Sequence, residues 1–306
     1  MFPGLSLFGI PFIWRLFMLK NYAQKILEVS PNLRIDSVIL NENGQNNTVI
    51  EVNNELIFRF PKYQQGIKEL HEETRLLKYI YKYITLDIPN PIYESLESQT
   101  VGEIFVGYRK IPGKTFDMQA FHSMGHEDLD VIANQLAQFL FELHSIPLQE
   151  EFVDHHYQKN QYKYWEDMYI RIQEKLFRYM SNESQVLIRK HFEDFLNDTM
   201  NFQYKPAFVH GDFGVGNILI DYHLPKVAGV IDFGGSHVGD PAVDAAAIIS
   251  GYGEDFLKQM YKFYPGLQSA ESRMRFYRGT FALQEALFGI ENNDEEAFKN
   301  GIFNYQ

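Results

Sequence analysis

The chain contains no cysteine, which removes several kinds of chemistry at once. Disulfides, thiolate zinc sites, iron–sulfur clusters and cysteine nucleophiles are all excluded. Basic residues are also scarce: 28 Lys and Arg stand against 40 Asp and Glu, which gives a formal net charge of −12. An acidic surface repels nucleic-acid phosphates and anionic membranes and attracts cationic small molecules, although it also serves solubility alone. We therefore expect no nucleic-acid partner and no membrane partner.

The apolar leader at residues 1–17 is too short to cross a bilayer as a helix, which takes about 20 apolar residues. It also lacks the basic region and the small-residue cleavage site of a secretory signal. At Met18 the sequence becomes polar and helical in character. One hypothesis is that translation naturally begins at Met18, and the rival is a membrane-associating N-terminal segment. The mass of the natively expressed protein separates the two.

The remaining composition is that of a globular protein, with 45% hydrophobic and 22% charged residues among 306. This length suits one large domain or two packed lobes. Aromatic residues are abundant, with 26 Phe and 19 Tyr but only 2 Trp, and we interpret them as filling the core. There is no internal repeat and no low-complexity tract.

The hydrophobic pattern changes near Pro112-Gly113. Before it, alternating runs and one amphipathic helix are predicted in the order 35–40, 48–52, 55–60, helix 67–84, 92–96 and 103–111. After it, helical patterns surround a glycine-rich, strand-like stretch and cover roughly 126–145, 160–180, 183–200 and 268–290. We therefore predict an α+β fold of two lobes. Residues 18–111 form an antiparallel β-rich lobe with a hinge near 107–113, and residues 112–306 form a helical lobe.

The segment VHGDFGVGNILID, followed by VAGVIDFGGSHVGDP, carries the chemistry. It gathers Asp212, Asn217 and Asp232 at one end of a predicted hairpin. An aspartate beside an incoming hydroxyl can orient it and accept its proton. A carboxamide and a second carboxylate offer the hard oxygen ligands that suit Mg²⁺. The spacing therefore favours phosphoryl transfer, in which catalysis is mostly positioning and electrostatics.

This segment resembles the aminoglycoside phosphotransferase family, antibiotic kinases with a protein-kinase-like fold. The motifs that carry the resemblance are His210-Gly211-Asp212, Asn217, Asp232-Phe233-Gly234 and Gly239-Asp240-Pro241. It runs over most of residues 18–306 and is densest over 208–244. It implies a nucleoside triphosphate, ATP or GTP, between the lobes, Mg²⁺ on Asn217 and Asp232, and Asp212 as the group that deprotonates the acceptor. The alternative is a nucleotide-binding regulator without turnover, in which these are only turn residues.

The N-terminal half departs from the family at one position. In this fold a strand lysine contacts the nucleotide phosphates and pairs with a helix glutamate, and here Arg59 takes its place. Its expected partner is Glu73, with Glu72 as the alternative, and Lys62 is a second candidate for the phosphate contact. Arginine is planar and bidentate, whereas lysine is a compact point charge, so the two are not equivalent. The run Phe-Arg-Phe-Pro-Lys is similar to the 2''-phosphotransferase branch.

The same resemblance gives a role to the loop at 41–47, which lies where a phosphate-covering loop belongs. Asn46 is therefore a candidate nucleotide contact. Only Gly44 marks the loop as glycine-containing, so the motif is weak by itself and a plain hairpin turn is the alternative.

The connector at 105–111 would border the purine. Backbone groups from Arg109 to Ile111, with Lys110 among them, would hydrogen-bond the base edge. Tyr108 would stand at the gate of the inner pocket, where a bulky residue goes with GTP use in the 2'' branch. The alternative is that Tyr108 is an amphipathic core residue.

Several further polar residues are interpreted as structural. We expect His144 to be a packed structural histidine and His210 to orient the catalytic turn through hydrogen bonds. Asp240 is expected to cap the following helix and brace the catalytic turn, and Asp244 is a candidate for the same task.

Acceptor recognition in such kinases comes from acidic residues of the helical lobe that face ammonium groups. Glu285 and Glu291 are the two main candidates here, although a buried salt bridge is an equally good interpretation of Glu285. Further acidic candidates are Glu254-Asp255 and the run Asp294-Glu295-Glu296, which is most simply a solvated helix start. We predict 2''-O-phosphorylation of an aminoglycoside by a cytoplasmic monomer. The alternatives are a kinase of the same fold for a macrolide, choline, homoserine or a sugar amine, and the regulator named above. The acceptor, its phosphorylated position, the choice of nucleotide and the oligomeric state stay open.

Overall fold

The computed structural model describes residues 12–41, 46–154 and 160–306, with side chains from Met18 onward. The chain forms two units, each with its own core. Among the described residues, the first unit comprises those up to Lys114 together with Ala228–Gly234, and the second comprises those between Thr115 and Val227 and Gly235–Gln306. Most of the apolar leader (residues 1–11) and most of the loop at 41–47 (residues 42–45) lie outside the described residues.

The alternating runs of the first unit form a five-stranded antiparallel sheet in the order β1-β2-β3-β5-β4. Its strands are β1 (Val38–Asn41), β2 (Asn47–Val52), β3 (Leu56–Pro61), β4 (Tyr93–Ser95) and β5 (Phe105–Arg109). Two helices belong to the same unit, α1 (Phe12–Val29) and α2 (Gln64–Ile80). The turn between β2 and β3 has Asn53 and Asn54 at φ values of 55° and 56°, a left-handed conformation that asparagine tolerates.

The two faces of this sheet bury different residues. Phe58 and Phe60 of β3 pack with Ile26 of α1 in one cluster, and Val106 and Tyr108 of β5 pack with residues of α2 in another. Successive side chains on a strand point to opposite faces, so Arg59, between the two phenylalanines, points away from the α1 cluster. The alternation in β3 thereby places the arginine on the face that α2 covers.

The second unit is mainly helical. Its helices are α3 (Met118–Ser123), α4 (His126–Ser145), α5 (Gln161–Lys175), α6 (Asn182–Asn197), α7 (Ala242–Tyr252), α8 (Glu254–Met260), α9 (Glu271–Asn292) and α10 (Glu295–Ile302). The glycine-rich stretch supplies the strands β7 (Ala207–Val209), β8 (Ile218–Asp221) and β10 (His237–Gly239), with β7 and β10 paired antiparallel. β6 (Lys114–Thr115) and β9 (Lys226–Val230) each run across the sequence boundary of the two units.

Aromatic side chains fill the core of the second unit. The rings of Phe195 and Phe276 stack at a centroid distance of 3.5 Å, and those of Tyr169 and Phe192 stack at 4.9 Å. Stacked and edge-on aromatic pairs stabilise a core beyond the area that they bury. The many phenylalanines and tyrosines therefore serve the packing that the composition indicates.

The predicted α+β class is confirmed, with an antiparallel sheet in the first unit and a mainly helical second unit. Helix α1 begins at Phe12, six residues before the predicted start at Met18, and α2 begins at Gln64 and ends at Ile80 rather than running to residue 84. The short helices α3 and α8 were not predicted, because six or seven residues hold too few turns for a periodic pattern. Within the described part of the chain, no helix is both long and apolar enough to cross a membrane.

Candidate active site

In the first unit, Arg59 joins two carboxylates. Its Nη1 donates to Oε1 of Glu73 at 2.5 Å, and its Nη2 lies 3.4 Å from Oδ1 of Asp232. β3 supplies the arginine, α2 supplies the glutamate, and the aspartate follows β9. The expected partner of Arg59 is therefore Glu73, whereas its neighbour Glu72 pairs with Lys68.

Burial sets the electrostatics of this group. The side chains of Arg59 and Glu73 are 11% and 4% exposed, whereas that of Asp232 is 54% exposed. Burial alone would lower the pKa of the Arg59 guanidinium, but the charges of Glu73 and Asp232 outweigh it and hold that pKa above its ordinary value. Arg59 is therefore a permanent cation held in place by a buried anion.

Asp232 adopts an unusual backbone conformation, with φ at 64°. Few residues other than glycine take this left-handed conformation, and aspartate, like asparagine, is one of those that tolerate it. The following Gly234 lies beside the same carboxylates, since a Cβ on it would be 3.4 Å from Oδ1 of Asp232 and 3.9 Å from Oε2 of Glu73. The Asp-Phe-Gly turn and α2 thus meet around Arg59.

Tyr108 lies on the same face of the sheet and is buried. Burial raises the pKa of its hydroxyl to about 12, against the opposing effect of the Arg59 charge. The next residue back, Gly107, must be glycine because an added Cβ would come within 2.5 Å of the Phe58 ring. Tyr108 is thus a buried neighbour of Arg59, and both the gate and the core interpretation are compatible with that position.

Lys110 and Asn46 are engaged within the first unit. Nζ of Lys110 lies 2.9 Å from Oε2 of Glu51 and donates to Oδ1 of Asn54 at 2.8 Å, and its backbone N–H donates to the Glu55 carbonyl at 2.8 Å. That N–H is therefore not available to a base, which corrects one part of the predicted hinge contacts. Asn46 accepts hydrogen bonds from the Tyr63 hydroxyl and from the Lys62 N–H.

In the second unit, the turn after β7 presents Asp212. The side chain is exposed, and its Oδ2 accepts a hydrogen bond of 2.8 Å from Nδ2 of Asn217, which also donates to the Asp212 carbonyl at 2.8 Å. Because both N–H groups of the carboxamide point at Asp212, the Oδ1 of Asn217 is the atom that remains for a cation. Phe213, between the two, is fully buried and stacks on Phe139 of α4. This anchor fixes the turn to the core of the second unit.

Asp244 of α7 holds that turn by hydrogen bonds to its backbone. It is fully buried and accepts the backbone N–H of His210 and of Gly211 at 2.9 Å each, and Nε2 of His144 lies 3.0 Å from it. Burial alone would raise the pKa of Asp244, but the hydrogen bond and charge of His144, with those of His210, hold it below its ordinary value. Asp244 is therefore a buried carboxylate whose charge is matched by donors on the His-Gly-Asp turn and by His144.

The glycine of the His-Gly-Asp motif is required by the backbone. Gly211 has φ at 79°, and a Cβ on it would collide with the carbonyl oxygen of Gly235. His210 is buried, its Nδ1 faces the Asp212 N–H at 3.3 Å, and its carbonyl accepts from Ser236 Oγ. His210 therefore holds the turn through hydrogen bonds, which agrees with the role expected from the sequence.

Asp240 precedes Pro241, the N-cap of α7, and its carboxylate bonds both to the first turn of α7 and to α9. Its Oδ1 accepts the Ala242 N–H at 3.0 Å, while its Oδ2 accepts from Nε of Arg273 at 2.6 Å and from the Tyr277 hydroxyl at 2.8 Å. Asp240 therefore connects the start of α7 to α9, and Asp244 bonds to the backbone of the His-Gly-Asp turn. The expectation that Asp240 braces the turn is corrected on this point.

The two acidic candidates for acceptor binding differ in their surroundings. The carboxylate of Glu291 is paired with Arg171 and with Lys175, the latter at 2.6 Å, and these pairs lower its pKa. Glu285 is exposed on α9, so it does not form the buried salt bridge that was the alternative interpretation. Glu291 therefore already has two cationic partners within the chain.

The two predicted metal ligands carry oxygens of the kind that Mg²⁺ binds. Asn217 of the second unit offers a carboxamide oxygen and Asp232 of the first unit offers a carboxylate, and magnesium takes such hard ligands beside substrate phosphates and water. Among the described residues, no group of three or more His, Asp or Glu is gathered as a metal cluster. Such a closed cluster is not needed by a metal that reaches the protein bound to phosphates, because phosphate oxygens and water complete its shell.

The sequence offers Asp244 only as a second candidate for bracing the turn, and the contact of Arg59 with Asp232 was not predicted. For Asp244 a signal exists: it is the one charged residue of Ala-Val-Asp-Ala-Ala-Ala-Ile-Ile, and a carboxylate in so apolar a helix requires buried donors. For the Arg59–Asp232 contact the partners are 173 residues apart, and no local pattern predicts it.

A sheet unit with a buried arginine–glutamate pair, and a helical unit with an aspartate on a braced turn, define a protein of the protein-kinase-like class. The chain belongs to the phosphotransferase enzyme family (APH), whose model matches residues 37–277. The resemblance predicted from the His-Gly-Asp and Asp-Phe-Gly motifs is thereby confirmed at the level of the family.

A curated relative and several solved structures are similar to the chain. Viomycin phosphotransferase of Streptomyces vinaceus is 38% identical over 103 residues, which span 33% of this chain and 36% of the relative. The GDP complex of aminoglycoside 2'-phosphotransferase-IIIa superposes with a TM-score of 0.81 at 24% identity, covering 93% of this chain and 96% of the other.

Two further structures show the same fold. The gentamicin complex of APH(2'')-IIa has a TM-score of 0.73 at 21% identity, covering 97% and 96% of the two chains. Macrolide 2'-phosphotransferase type I has a TM-score of 0.72 at 20% identity, covering 95% and 96%. Enzymes named for aminoglycosides and for macrolides are thus both among the structural neighbours.

Proposed function

We propose that this protein is a kinase that transfers the γ-phosphoryl group of ATP or GTP to a hydroxyl of an aminoglycoside antibiotic. The acceptor oxygen attacks the γ-phosphorus, the bond from that phosphorus to the β–γ bridging oxygen breaks, and the acceptor proton passes to the Asp212 carboxylate. The products are the phosphorylated acceptor and a nucleoside diphosphate. We further propose a cytoplasmic monomer and, for the acceptor, the 2'' position.

The observation that carries this proposal is the carboxylate of Asp212 on its braced turn. It is exposed, it is oriented by Asn217, and the turn behind it is held by the buried Asp244. A carboxylate held in this way can accept a proton and position a hydroxyl without reorganising. The family membership and the Arg59–Glu73 pair support phosphoryl transfer as the reaction.

Asn217 and Asp232 are the residues that would hold Mg²⁺, through Oδ1 of the amide and the carboxylate. When bound, the metal offsets the charge of the phosphates. Arg59 would contact a phosphate while Glu73 keeps its guanidinium in place. Tyr108, Asn46 and the backbone near Lys110 remain proposed contacts of the nucleotide, with the Lys110 N–H excepted.

An aminoglycoside is preferred because the chain carries a formal charge of −12, which attracts a polycation. Structural neighbours include enzymes whose structures are complexes with kanamycin and with gentamicin, which supports the same choice. On the protein side we retain Glu285, which is exposed, and give up Glu291, whose charge Arg171 and Lys175 already compensate. A macrolide is the second candidate, supported by the likeness to macrolide 2'-phosphotransferase type I.

The test is nucleotide turnover with ATP and with GTP against aminoglycosides, macrolides and small amino alcohols, with the product position determined by NMR. We expect turnover with a kanamycin- or gentamicin-like compound. Replacing Asp212→Asn should lower kcat by about 10³-fold or more while the nucleotide affinity changes little. Asp194→Asn removes an equal charge from an exposed ion pair on α6 and should change neither value.

The outcomes separate the parts of the proposal. Turnover with a macrolide alone would keep the mechanism and replace the acceptor. Phosphate on a hydroxyl other than 2'' would replace the position. Near-normal turnover by the Asp212→Asn variant would refute the role of that carboxylate, and silence with every acceptor would favour a regulator without turnover.

A further inference from the structure

Arg59 of this chain is bonded to a proposed metal ligand as well as to its helix glutamate. We propose that Arg59 makes metal binding depend on the nucleotide: without nucleotide its guanidinium engages Asp232, and a bound phosphate releases that carboxylate. This inference rests on the proposed function, because it takes Asp232 as a ligand of the divalent metal. It goes beyond that function by assigning Arg59 the coupling of two ligands.

The geometry shows one guanidinium shared by two anions of unequal burial. Nη1 donates to Glu73 at 2.5 Å, where the carboxylate is 4% exposed, and Nη2 lies 3.4 Å from Asp232, which is 54% exposed. The contact with the buried glutamate is therefore the permanent one, since removing it would leave an uncompensated charge in the interior. The longer, exposed contact with Asp232 is the one that a competing anion can replace.

Arginine suits this arrangement better than lysine. Its planar fork carries five N–H donors in fixed directions, so that two anions can be held at once by different nitrogens. A lysine at position 59 would carry one compact ammonium on a flexible stem, and the buried Glu73 would hold it. The exposed Asp232 would then lose its cationic partner.

The consequence for binding follows from charge. A cation that is hydrogen-bonded to Asp232 competes with a metal for the same carboxylate, so Arg59 weakens metal binding to the nucleotide-free protein. Nucleotide phosphates accept hydrogen bonds from a guanidinium readily, and a phosphate on Nη2 removes that competition. Metal and nucleotide therefore favour each other's binding, and by linkage the effect is reciprocal.

The test is a titration of the nucleotide-free protein with Mn²⁺, followed by the relaxation of water protons. Arg59→Lys is expected to bind Mn²⁺ about fivefold more tightly than the unchanged protein, the effect of one exposed charge contact. Asp232→Asn is made both in the unchanged protein and in the Arg59→Lys variant. The Mn²⁺ binding that this substitution removes is the part bound through Asp232, and the part that stays is attracted by the acidic surface. Both measurements are repeated with a saturating non-hydrolysable nucleotide, where the fivefold difference should disappear.

A matched control exists elsewhere in the chain. Arg275 also bridges two carboxylates, those of Glu254 and Glu271, at 3.0 and 2.9 Å. Arg275→Lys should leave Mn²⁺ binding unchanged. Should Arg59→Lys fail to fold, Glu73→Gln gives the opposite test, because it leaves Asp232 as the only carboxylate on Arg59 and should weaken Mn²⁺ binding to the nucleotide-free protein.

The results distinguish this inference from the proposed function. Equal Mn²⁺ affinity of the unchanged protein and the Arg59→Lys variant, both free of nucleotide, overturns the coupling role of Arg59. The absence of Asp232-dependent Mn²⁺ binding from both proteins across the titration overturns it as well. If Asp232→Asn leaves Mn²⁺ binding unchanged in the presence of nucleotide, Asp232 is not a metal ligand and that part of the proposed function falls.

Discussion

Replacing Asp244→Asn should weaken the fold and slow catalysis through one set of hydrogen bonds. Oδ2 of Asp244 accepts the His210 N–H at 2.9 Å and faces Nε2 of His144 at 3.0 Å, while Oδ1 accepts the Gly211 N–H at 2.9 Å. Asparagine has the same size, but one of its two terminal atoms is a donor. Whichever way the amide is turned, an NH₂ group faces a backbone N–H in a site that is fully buried.

The magnitude follows from the better of the two orientations. Placing the amide oxygen at the Oδ2 position keeps two bonds, although each loses the contribution of the charge, and leaves the Gly211 N–H without an acceptor. A hydrogen bond to a charged group contributes about 1.5–3 kcal/mol, and an unsatisfied buried donor costs about 1–3 kcal/mol. We therefore expect a loss of about 3 kcal/mol in the free energy of unfolding. A turn displaced by about 1 Å would also lower kcat by about 10²-fold.

Urea denaturation measures the first effect, and steady-state turnover of the folded variant measures the second. Asp240→Asn is the matched control, because Asp240 is also buried and accepts hydrogen bonds, but from Ala242, Arg273 and Tyr277. It should be destabilised to a similar degree and keep most of its kcat. The reasoning is refuted if Asp244→Asn turns over normally when folded, or if both variants lose kcat equally.

Two further predictions concern the backbone of the turn and the pH dependence of stability. Gly211→Ala should lower the free energy of unfolding by about 1–3 kcal/mol and lower kcat, because φ is 79° and the added Cβ would meet the Gly235 carbonyl. The control is Gly125→Ala, which should have neither effect because its Cβ would meet nothing within 4 Å. Equal effects of the two variants would contradict the argument. Burial lowers the pKa of His191 below its ordinary 6.5, so its contribution to stability is complete above that pH and is lost as the pH falls towards the lower, folded value. His191→Gln should flatten the acid side of the Tm profile below about pH 6.5, and an unchanged slope would show that His191 is not responsible.

The parts of the site that could be predicted from the sequence are those set by local periodicity. The alternation in β3 puts Arg59 on the face opposite Phe58 and Phe60, and the turn chemistry of the His-Gly-Asp segment requires glycine at 211. Glu73 was expected from the resemblance to the family, with Glu72 as the alternative, and it lies on the buried side of α2. The positions of Arg59 and Gly211 depend on a few neighbours in the chain, which is why local pattern is sufficient for them.

Contacts between distant segments could not be predicted in the same way. Glu291 was a candidate for binding a cationic acceptor, yet Arg171 and Lys175, which lie 120 and 116 residues away, already pair with it. Which of the two carboxylates braces the His-Gly-Asp turn depends on the tertiary packing: Asp244 accepts the backbone N–H groups of His210 and Gly211, whereas Asp240 accepts from Ala242, Arg273 and Tyr277. A charged residue in the sequence indicates that it needs a partner of opposite charge or a hydrogen-bond partner, but the sequence does not indicate where in the chain that partner lies.

The choice of substitution at position 59 decides whether fold and function can be separated at all. Removing the arginine charge would leave Glu73, 4% exposed, as a buried anion without its cation, which costs about 3–5 kcal/mol and would lower activity through unfolding alone. Lysine keeps the positive charge beside Glu73 and removes only the contact that Nη2 of the arginine makes with Asp232. A change in metal affinity without a comparable loss of stability in Arg59→Lys would therefore be a property of the contact with Asp232, because the contact that stabilises the fold has been retained.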